Sequence, residues 1–534
     1  MLSWVIKGGQ VYDGSGDPAY QGDIGILDGI IVKTGSIEDG EMPAPGRVLD
    51  ATGLAVAPGF IDIHSHSDLT LPVHSRAESS LVQGITTEVA GSCGWSLAPV
   101  KDETARGVLR NLLRSLCGIT GKELRFTWHS FAEYAEHLTK LGTGTNLYPI
   151  MGQSLLRAHV VGTRKRAATP EEIAAMRALL RQALADGCRG LSTGRSYLPG
   201  GHADTAEIGA ICAELAPYGG IYTSHIKSES ADMLAAVEEV IDIGRQTGVK
   251  VQVSHHKSIG PDNFGLVRQS LALMEQARAD GIDINCDVYP YDYAQVYMLR
   301  DGLARQWRSL ATEKVIAKLQ SEDERDTLRR RLGKASGSIL ATPQNYLLIE
   351  VPGRPELEGQ SIGDAAAQAG ADPLDWCCEL LIETELRVKV AARMDEADVR
   401  TVLAHPLSMV GTDAFALDGA PLGSLPLHPR HYGSFPRVAG HYRRDVGLFS
   451  LAEAVRKLAA VPAAKLGLTD RGLIKGGLCA DLVVFDPEEI NDRATAAQPT
   501  MPPAGIKAVF VHGELAVRDN MPTGVKAGRV LLGR

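Results

Sequence analysis

The sequence predicts an α/β protein, a closed (β/α)8 barrel carrying a discontinuous β-sandwich domain, and three observations predict it. Eight apolar, β-branched runs alternate with Ala/Leu/Glu/Arg-rich stretches of helical period. Parallel strands buried on both faces and linked by helices give that pattern. Most neighbouring runs start about 25 to 60 residues apart, room for one helix and its loops, and eight such units close into a barrel more readily than they form an open sheet. Both ends of the chain carry short β-rich runs separated by Gly, Asp and Pro, the texture of a small antiparallel sheet.

In chain order, residues 1–58 hold WVIKGGQVY (4–12), GDIGIL (22–27) and GIIVKTGSI (29–37), the first part of the sandwich. The barrel follows over 59–415. Its strands are GFIDIHSH (59–66), GITTEVAGSC (84–93), NLYPIMGQ (146–153), CRGLSTGRS (188–196), GIYTSH (220–225), VKVQVSHHK (249–257), IDINCDVYPY (282–291) and LSMVGTD (407–413). The gap between the seventh and eighth is much longer than the others and contains EKVIAKLQSEDERDTLRRRL (313–332), charged and helical in pattern. A helical insertion is expected at about 300–345, either a solvated excursion or a lid over the site. Residues 416–470 read as barrel-closing loops and helices. CADLVVF (479–485), IKAVFVH (506–512) and ELAVR (514–518) then complete the sandwich within 471–534.

With 534 residues, 55 Lys+Arg against 64 Asp+Glu, a net charge of −9 and 44% hydrophobic residues, the chain is unlike a disordered, collagenous or obligate nucleic-acid-binding protein. Its eight cysteines form no CxxC pair and no regular spacing, which predicts a reducing compartment. No basic, apolar and small-residue leader pattern opens the sequence, and no window approaches the ~18 apolar residues of a membrane span. The expectation is a soluble cytoplasmic protein with no nucleic-acid or membrane partner, a homo-oligomer being left open.

The chemistry lies at the strand ends. His64 and His66 are two residues apart, so an extended chain presents both on one face. Cys93 ends the second run, His225 the fifth, His255 lies near the end of the sixth, and Asp413 ends the eighth. In a barrel those ends converge on the face where active sites are built. Six donors arriving from five strands are hard to explain by packing, because buried polar groups without partners are costly. Imidazole, thiolate and carboxylate together favour Zn²⁺ over hard ions. Ser65, Ser92 and Ser224 adjoin these residues and are read as supporting hydrogen-bond partners, and His256, on the opposite face from His255, as packed or solvated.

The motifs GFIDIHSHSD, GITTEVAGSCGWSLAPV, RGLSTGRSYLPG, YTSHIKSES, VQVSHHK, DVYPY, MVGTDAFAL, HPRHYGSFPRV and KGGLCADLVVFDP run nearly end to end. Through them the sequence resembles the metal-dependent amidohydrolase superfamily, whose fold is a TIM-type barrel, and within it the D-aminoacylases, or N-acyl-D-amino-acid deacylases. The fourth run carries no lysine, unlike the many amidohydrolases that bridge two metals through a carbamylated lysine there, and Cys93 fills the family's thiolate position. The resemblance implies that Cys93, His225 and His255 hold a tightly bound zinc, and that His64, His66 and Asp413 form a second, weaker site bridged by Cys93. It implies Asp413 as the proton-transferring residue and Lys257, Tyr289 and Arg430 as contacts to a small-molecule N-acyl amino acid. The sequence departs from the family in DYAQVYMLRDG (292–302), where Arg300 is a candidate contact for an acidic substrate and otherwise an ordinary surface residue. Rival readings are a cyclic-amide hydrolase of hydantoinase type, an amidase for another substrate such as an acylated peptide, and a non-catalytic scaffold.

Overall fold

The computed structural model describes residues 1–534 except 45, 101, 308–309, 333–338, 420–425 and 534. All eight expected barrel strands form. They are Phe60–Ser65, Ile85–Ala90, Asn146–Pro149 continued by Met151–Gly152, Gly190–Gly194, Ile221–His225, Lys250–Val253, Ile284–Val288 and Ser408–Val410. Each pairs in parallel with the next. The ring closes where Ser65 bridges Ala414 in parallel, with the Asp413 amide donating to His64 O at 2.8 Å and the His66 amide to Ala414 O at 2.7 Å. Closure leaves no unpaired edge and sets the two chain ends that carry His64, His66 and Asp413 side by side.

The surrounding helices form where apolar residues recur with helical period. Phe131–Leu141 buries Phe131, Tyr134, Ala135 and Leu138, one stripe of the helix, and is started by a reciprocal Ser130/Glu133 capping box. Pro170–Ala185 repeats the device with Thr169 and Glu172 and has proline in its first turn.

The chain ends complete one sheet. Nine strands from both termini join it, the seam being Ala55–Pro58 paired antiparallel with Leu482–Phe485. Period-two alternation divides this seam between two cores. Val56, Leu482 and Val484 pack with Trp4, Ile24 and Phe510 inside the sheet domain, while Ala55, Ala57, Val483 and Phe485 join the barrel's core. The terminal domain is thereby fastened to the barrel through alternate residues of the same strands.

The excursion between strands seven and eight is larger than the helical span expected at 300–345. The charged stretch is helical, as Thr312–Leu319 and Glu322–Leu332, while residues 308–309 and 333–338 of that span lie outside the described residues. Flanking it are three strands, Tyr293–Met298, Tyr346–Glu350 and Lys389–Arg393, the last central and antiparallel to both others. Helices Ile362–Gln368 and Pro373–Glu383 pack on them. Leu299, Val315, Leu319, Leu348, Leu381 and Val390 give this unit a core of its own. The strands escape a reading by hydrophobic pattern because their faces are only partly buried, as in YLLIE. Among the described residues no helix is long and apolar enough to cross a membrane.

Candidate metal centre

Three of the expected donors sit on residues whose backbone is left-handed. Cys93 (φ 52°), His255 (φ 35°) and Asp413 (φ 49°) each turn away just past a barrel strand. Non-glycine residues pay about 1–3 kcal/mol for such a conformation and keep it where the surroundings over-determine it, commonly at functional sites. Strand eight passes His64 closely. A Cβ on Gly411 would lie 2.6 Å from His64 Cβ and 3.0 Å from Asp287 Oδ1, so only glycine fits.

The donors crowd together. His225 Nδ1 and His255 Nε2 are 2.7 Å apart, and Cys93 Sγ lies 3.6 Å from His255 Nε2, 4.0 Å from His225 Nδ1 and 3.3 Å from His64 Nε2. Asp413 Oδ1 is 3.4 Å from His64 Nε2 and 3.1 Å from His66 Nε2. His64, Cys93, His255 and Asp413 therefore present ligand atoms to one small volume, and His225 joins through His255.

Most rear nitrogens are anchored. His64 Nδ1 meets Asp287 Oδ1 at 3.0 Å, and the same oxygen accepts the His255 amide at 2.8 Å. His255 Nδ1 faces Glu229 Oε1 at 2.9 Å, and Ser196 Oγ lies 2.7 Å from His225 Nε2. Such outer contacts fix the ring orientation of a ligating histidine.

Charge is concentrated accordingly. Burial raises the Cys93 thiol, but the charges of His64 and His255 and hydrogen bonding to His225 and His255 outweigh it and hold the thiol well below its usual range. Burial lowers His64, and Asp287 and Cys93 overcome that, leaving it well above the usual imidazole value. His66 and His255 are each pushed up to about 9. Burial opposes the rise in both, while hydrogen bonds with Asp413 and Cys93 drive it in His66 and the charges of Glu229, Asp413 and Cys93 drive it in His255. A thiolate, a carboxylate and several imidazoles gathered this closely can exchange the protons they share for one cation, and this donor set fits a divalent ion of borderline softness.

Beside the cluster opens a cavity of about 580 Å³ lined by His225, His255, Lys257, Tyr289, Asp413 and Arg430 together with residues of the excursion. Residues 47–517 match the sequence profile of the Amidohydrolase family. The chain belongs to the amidohydrolase family. It is 37% identical to a D-aminoacylase of Alcaligenes xylosoxydans xylosoxydans over 527 residues, 99% of this chain and 97% of that protein. It is 35% identical to an N-acyl-D-aspartate deacylase of the same organism over 532 residues, 99% of this chain and 94% of that one. The crystal structure of an N-acyl-D-glutamate deacylase from Bordetella bronchiseptica, complexed with zinc and a phosphonate mimic of the tetrahedral intermediate, superposes with a TM-score of 0.77. That protein is 32% identical, and both chains are covered in full.

In this amidohydrolase all six donors expected from the sequence meet at one rim, and the three expected substrate contacts line the adjoining cavity. Lys257 Nζ is already engaged, 2.5 Å from Glu229 Oε1 and 2.9 Å from both His255 Nδ1 and His255 O. Arg430 pairs with Asp413 Oδ2 at 2.8 Å, and its guanidinium sits over the Tyr289 ring at 5.0 Å. One expectation is corrected, and of the two alternatives for Arg300 the substrate contact is not seen. The hydroxyl on His225 is that of Ser196, whereas Ser224, pointing to the other face of its strand, is bonded to Thr193. Arg300 is held at Leu310 O, at 3.4 Å, and does not line the cavity. His256 is packed as expected, 2.7 Å from Ser270 Oγ. The sequence reading passed over Glu229 and Asp287. Asp287 carried a usable signal, since it lies two residues before Tyr289 at the end of strand seven, while Glu229 is on a loop with no periodicity to mark it.

Proposed function

We propose that this amidohydrolase removes the acyl group from N-acyl-D-amino acids with zinc as its cofactor, releasing a carboxylate and a free D-amino acid. The observation that carries the reading is the meeting of His64, His66, Cys93, His225, His255 and Asp413 at one barrel rim, beside a cavity that also presents Lys257, Tyr289 and Arg430. The D configuration is supported by relatives of the same length, the D-aminoacylase and the N-acyl-D-aspartate deacylase, and the choice of zinc by the zinc-bound deacylase.

Cys93, His225 and His255 would hold the tightly bound zinc, and His64, His66 and Asp413, with Cys93 as bridge, a second and weaker one. Zinc bound there supplies Lewis-acid chemistry, lowering the pKa of water towards ~7 and polarising the amide carbonyl. Asp413 takes the proton of the attacking water on its carboxylate and passes it to the departing nitrogen, since an amine anion is too poor a leaving group. It is ionised for that purpose. Burial pushes its carboxyl up, but Arg430, His255, His66 and His64 outweigh this and hold it well below the usual range. Arg430 fixes Oδ2 and leaves Oδ1 facing the histidines.

The substrate α-carboxylate is received by groups with capacity to spare. Among the described residues Arg430 Nε is buried with no hydrogen-bond partner, and the Tyr289 hydroxyl donates to Met394 Sδ alone, at 3.6 Å. Lys257 adds positive charge rather than a free donor.

The test is a panel of N-acetyl-D- and N-acetyl-L-leucine, methionine and phenylalanine with zinc-replete protein. Hydrolysis is expected for the D-forms. Asp413→Asn is expected to lower kcat by about 10²- to 10⁴-fold while zinc stays bound by metal analysis. Activity confined to L-forms, or protein free of metal after growth in ample zinc, overturns the reading.

A further inference from the structure

The cavity has two unlike walls. The barrel wall holds the reacting groups, while the excursion supplies Gln295, Tyr297, Asp301, Ile339 and Tyr346. Apart from the imidazoles of the metal centre, five lining residues carry formal charge: Glu229, Lys257, Asp301, Asp413 and Arg430. Four of them cancel in pairs, Glu229 with Lys257 at 2.5 Å and Asp413 with Arg430 at 2.8 Å. The fifth, Asp301, has no hydrogen-bond or ion-pair partner for its carboxylate among the described residues. Its neighbours along the wall are uncharged.

Asp301 is also firmly placed. It belongs to the single turn Leu299–Gly302, whose Leu299 is fully buried in the excursion's own core and whose Leu299 amide donates to Val388 O at 2.9 Å. The adjacent Arg300 points away from the cavity lining to Leu310 O and makes no ion pair with Asp301 among the described residues. The half-buried Asp301 carboxylate is therefore the one unpaired formal charge among the described residues of this wall, while Tyr297, Ile339 and Tyr346 offer apolar surface to an alkyl stem.

We infer that Asp301 sets the side-chain preference of this enzyme, which takes N-acyl-D-amino acids with a cationic side chain, the lysine and arginine class, ahead of uncharged ones and disfavours acidic ones. The inference rests on the deacylase reading above and narrows its substrate. It separates this chain from its 35%-identical N-acyl-D-aspartate relative on a feature that overall identity does not report.

The experiment compares kcat/KM for Nα-acetyl-D-lysine, Nα-acetyl-D-norleucine and Nα-acetyl-D-glutamate in the full-length zinc-replete enzyme, in Asp301→Asn and in Asp301→Lys. Each value is normalised to norleucine within the same protein, so a general loss of activity cancels. The wild type is expected to rank lysine, norleucine, glutamate. Asp301→Asn should shrink the lysine advantage and the glutamate penalty by about fivefold each, the scale of a partly solvated ion pair, and Asp301→Lys should reverse the order. Raising salt should compress the wild-type ratios. A lysine-to-glutamate ratio that Asp301→Asn leaves within about twofold, or a wild type that prefers glutamate, overturns the inference while the deacylase reading stands. If none of the three is hydrolysed by zinc-loaded enzyme, the deacylase reading itself falls and this inference falls with it.

Discussion

At the end of the barrel where the strands begin, buried cations are each matched to acceptors. Lys457 Nζ donates to His405 O at 2.6 Å and Ser408 O at 3.3 Å, Lys465 Nζ to Asp283 O at 2.9 Å and Asp283 Oδ1 at 2.7 Å. Arg471 pairs with Asp481 at 2.6 Å and Asp470 at 3.0 Å, and Asp481 also accepts from Asn146 at 3.0 Å. At the other end, where the strands stop, imidazole, thiolate and carboxylate donors face one another at 2.7 to 4.0 Å, three of them on strained backbone. Both ends bury charge. At the first end each cation has its acceptors in place, whereas at the second the donors converge on one small volume that a cation would fill.

The sharpest way to break this contrast is Cys93→Ala. It is expected to lower kcat/KM by about 10³-fold or more, several kcal/mol of transition-state stabilisation, and to reduce bound zinc, while circular dichroism reports a folded chain. Retention of zinc and rate would remove the thiolate from the centre. Arg471→Met probes the other end, where breaking a buried pair should cost about 3–5 kcal/mol in denaturant unfolding and leave kcat/KM per folded molecule unaltered. A fall in turnover with unaltered stability would reverse the assignment of the two ends.

Asp287→Asn tests the support behind the donors, because Asp287 orients His64 and receives the His255 amide. Zinc affinity or kcat/KM should drop about 10- to 100-fold, measured by competition with a chelator and by initial rates. The smallest effect concerns Lys465. Burial, partly offset by Asp283, pushes its pKa down to about 8, against about 10.4 in an unfolded chain. The unfolded state therefore binds more protons between pH 8 and 10.4, and this group makes stability rise with pH across that window. Lys465→Met should remove up to one proton's worth of that slope in paired unfolding titrations, and an unchanged slope would show that Lys465 does not titrate there.

How much of this was legible depended on how local the signal was. The eight barrel strands and the terminal strands show in the sequence because apolarity and period are properties of a few adjacent residues. The excursion's sheet does not, because strands such as YLLIE are half-buried and their partners lie far along the chain. The metal-centre residues were legible for a different reason, since one rule, that parallel strands end on a common rim, locates them without knowing any loop. Glu229, Ser196 and Asp301 follow no such rule. Ser224 adjoins His225 in sequence, but alternation along the strand turns it away, and Ser196 from the neighbouring strand end reaches the ring instead.

By itself the sequence determined which residue types stand at which strand ends, and with them the barrel, the sheet completed from both termini and the donor set for a soft-to-borderline metal. Only the tertiary structure decided how those charges pair. Pairing depends on separations of a few ångströms between residues far apart in the chain, and at that range Coulomb energy and desolvation change steeply. Lys257 proves to be engaged by Glu229 and His255 and Arg430 by Asp413, while Asp301 lines the cavity with no partner for its carboxylate among the described residues.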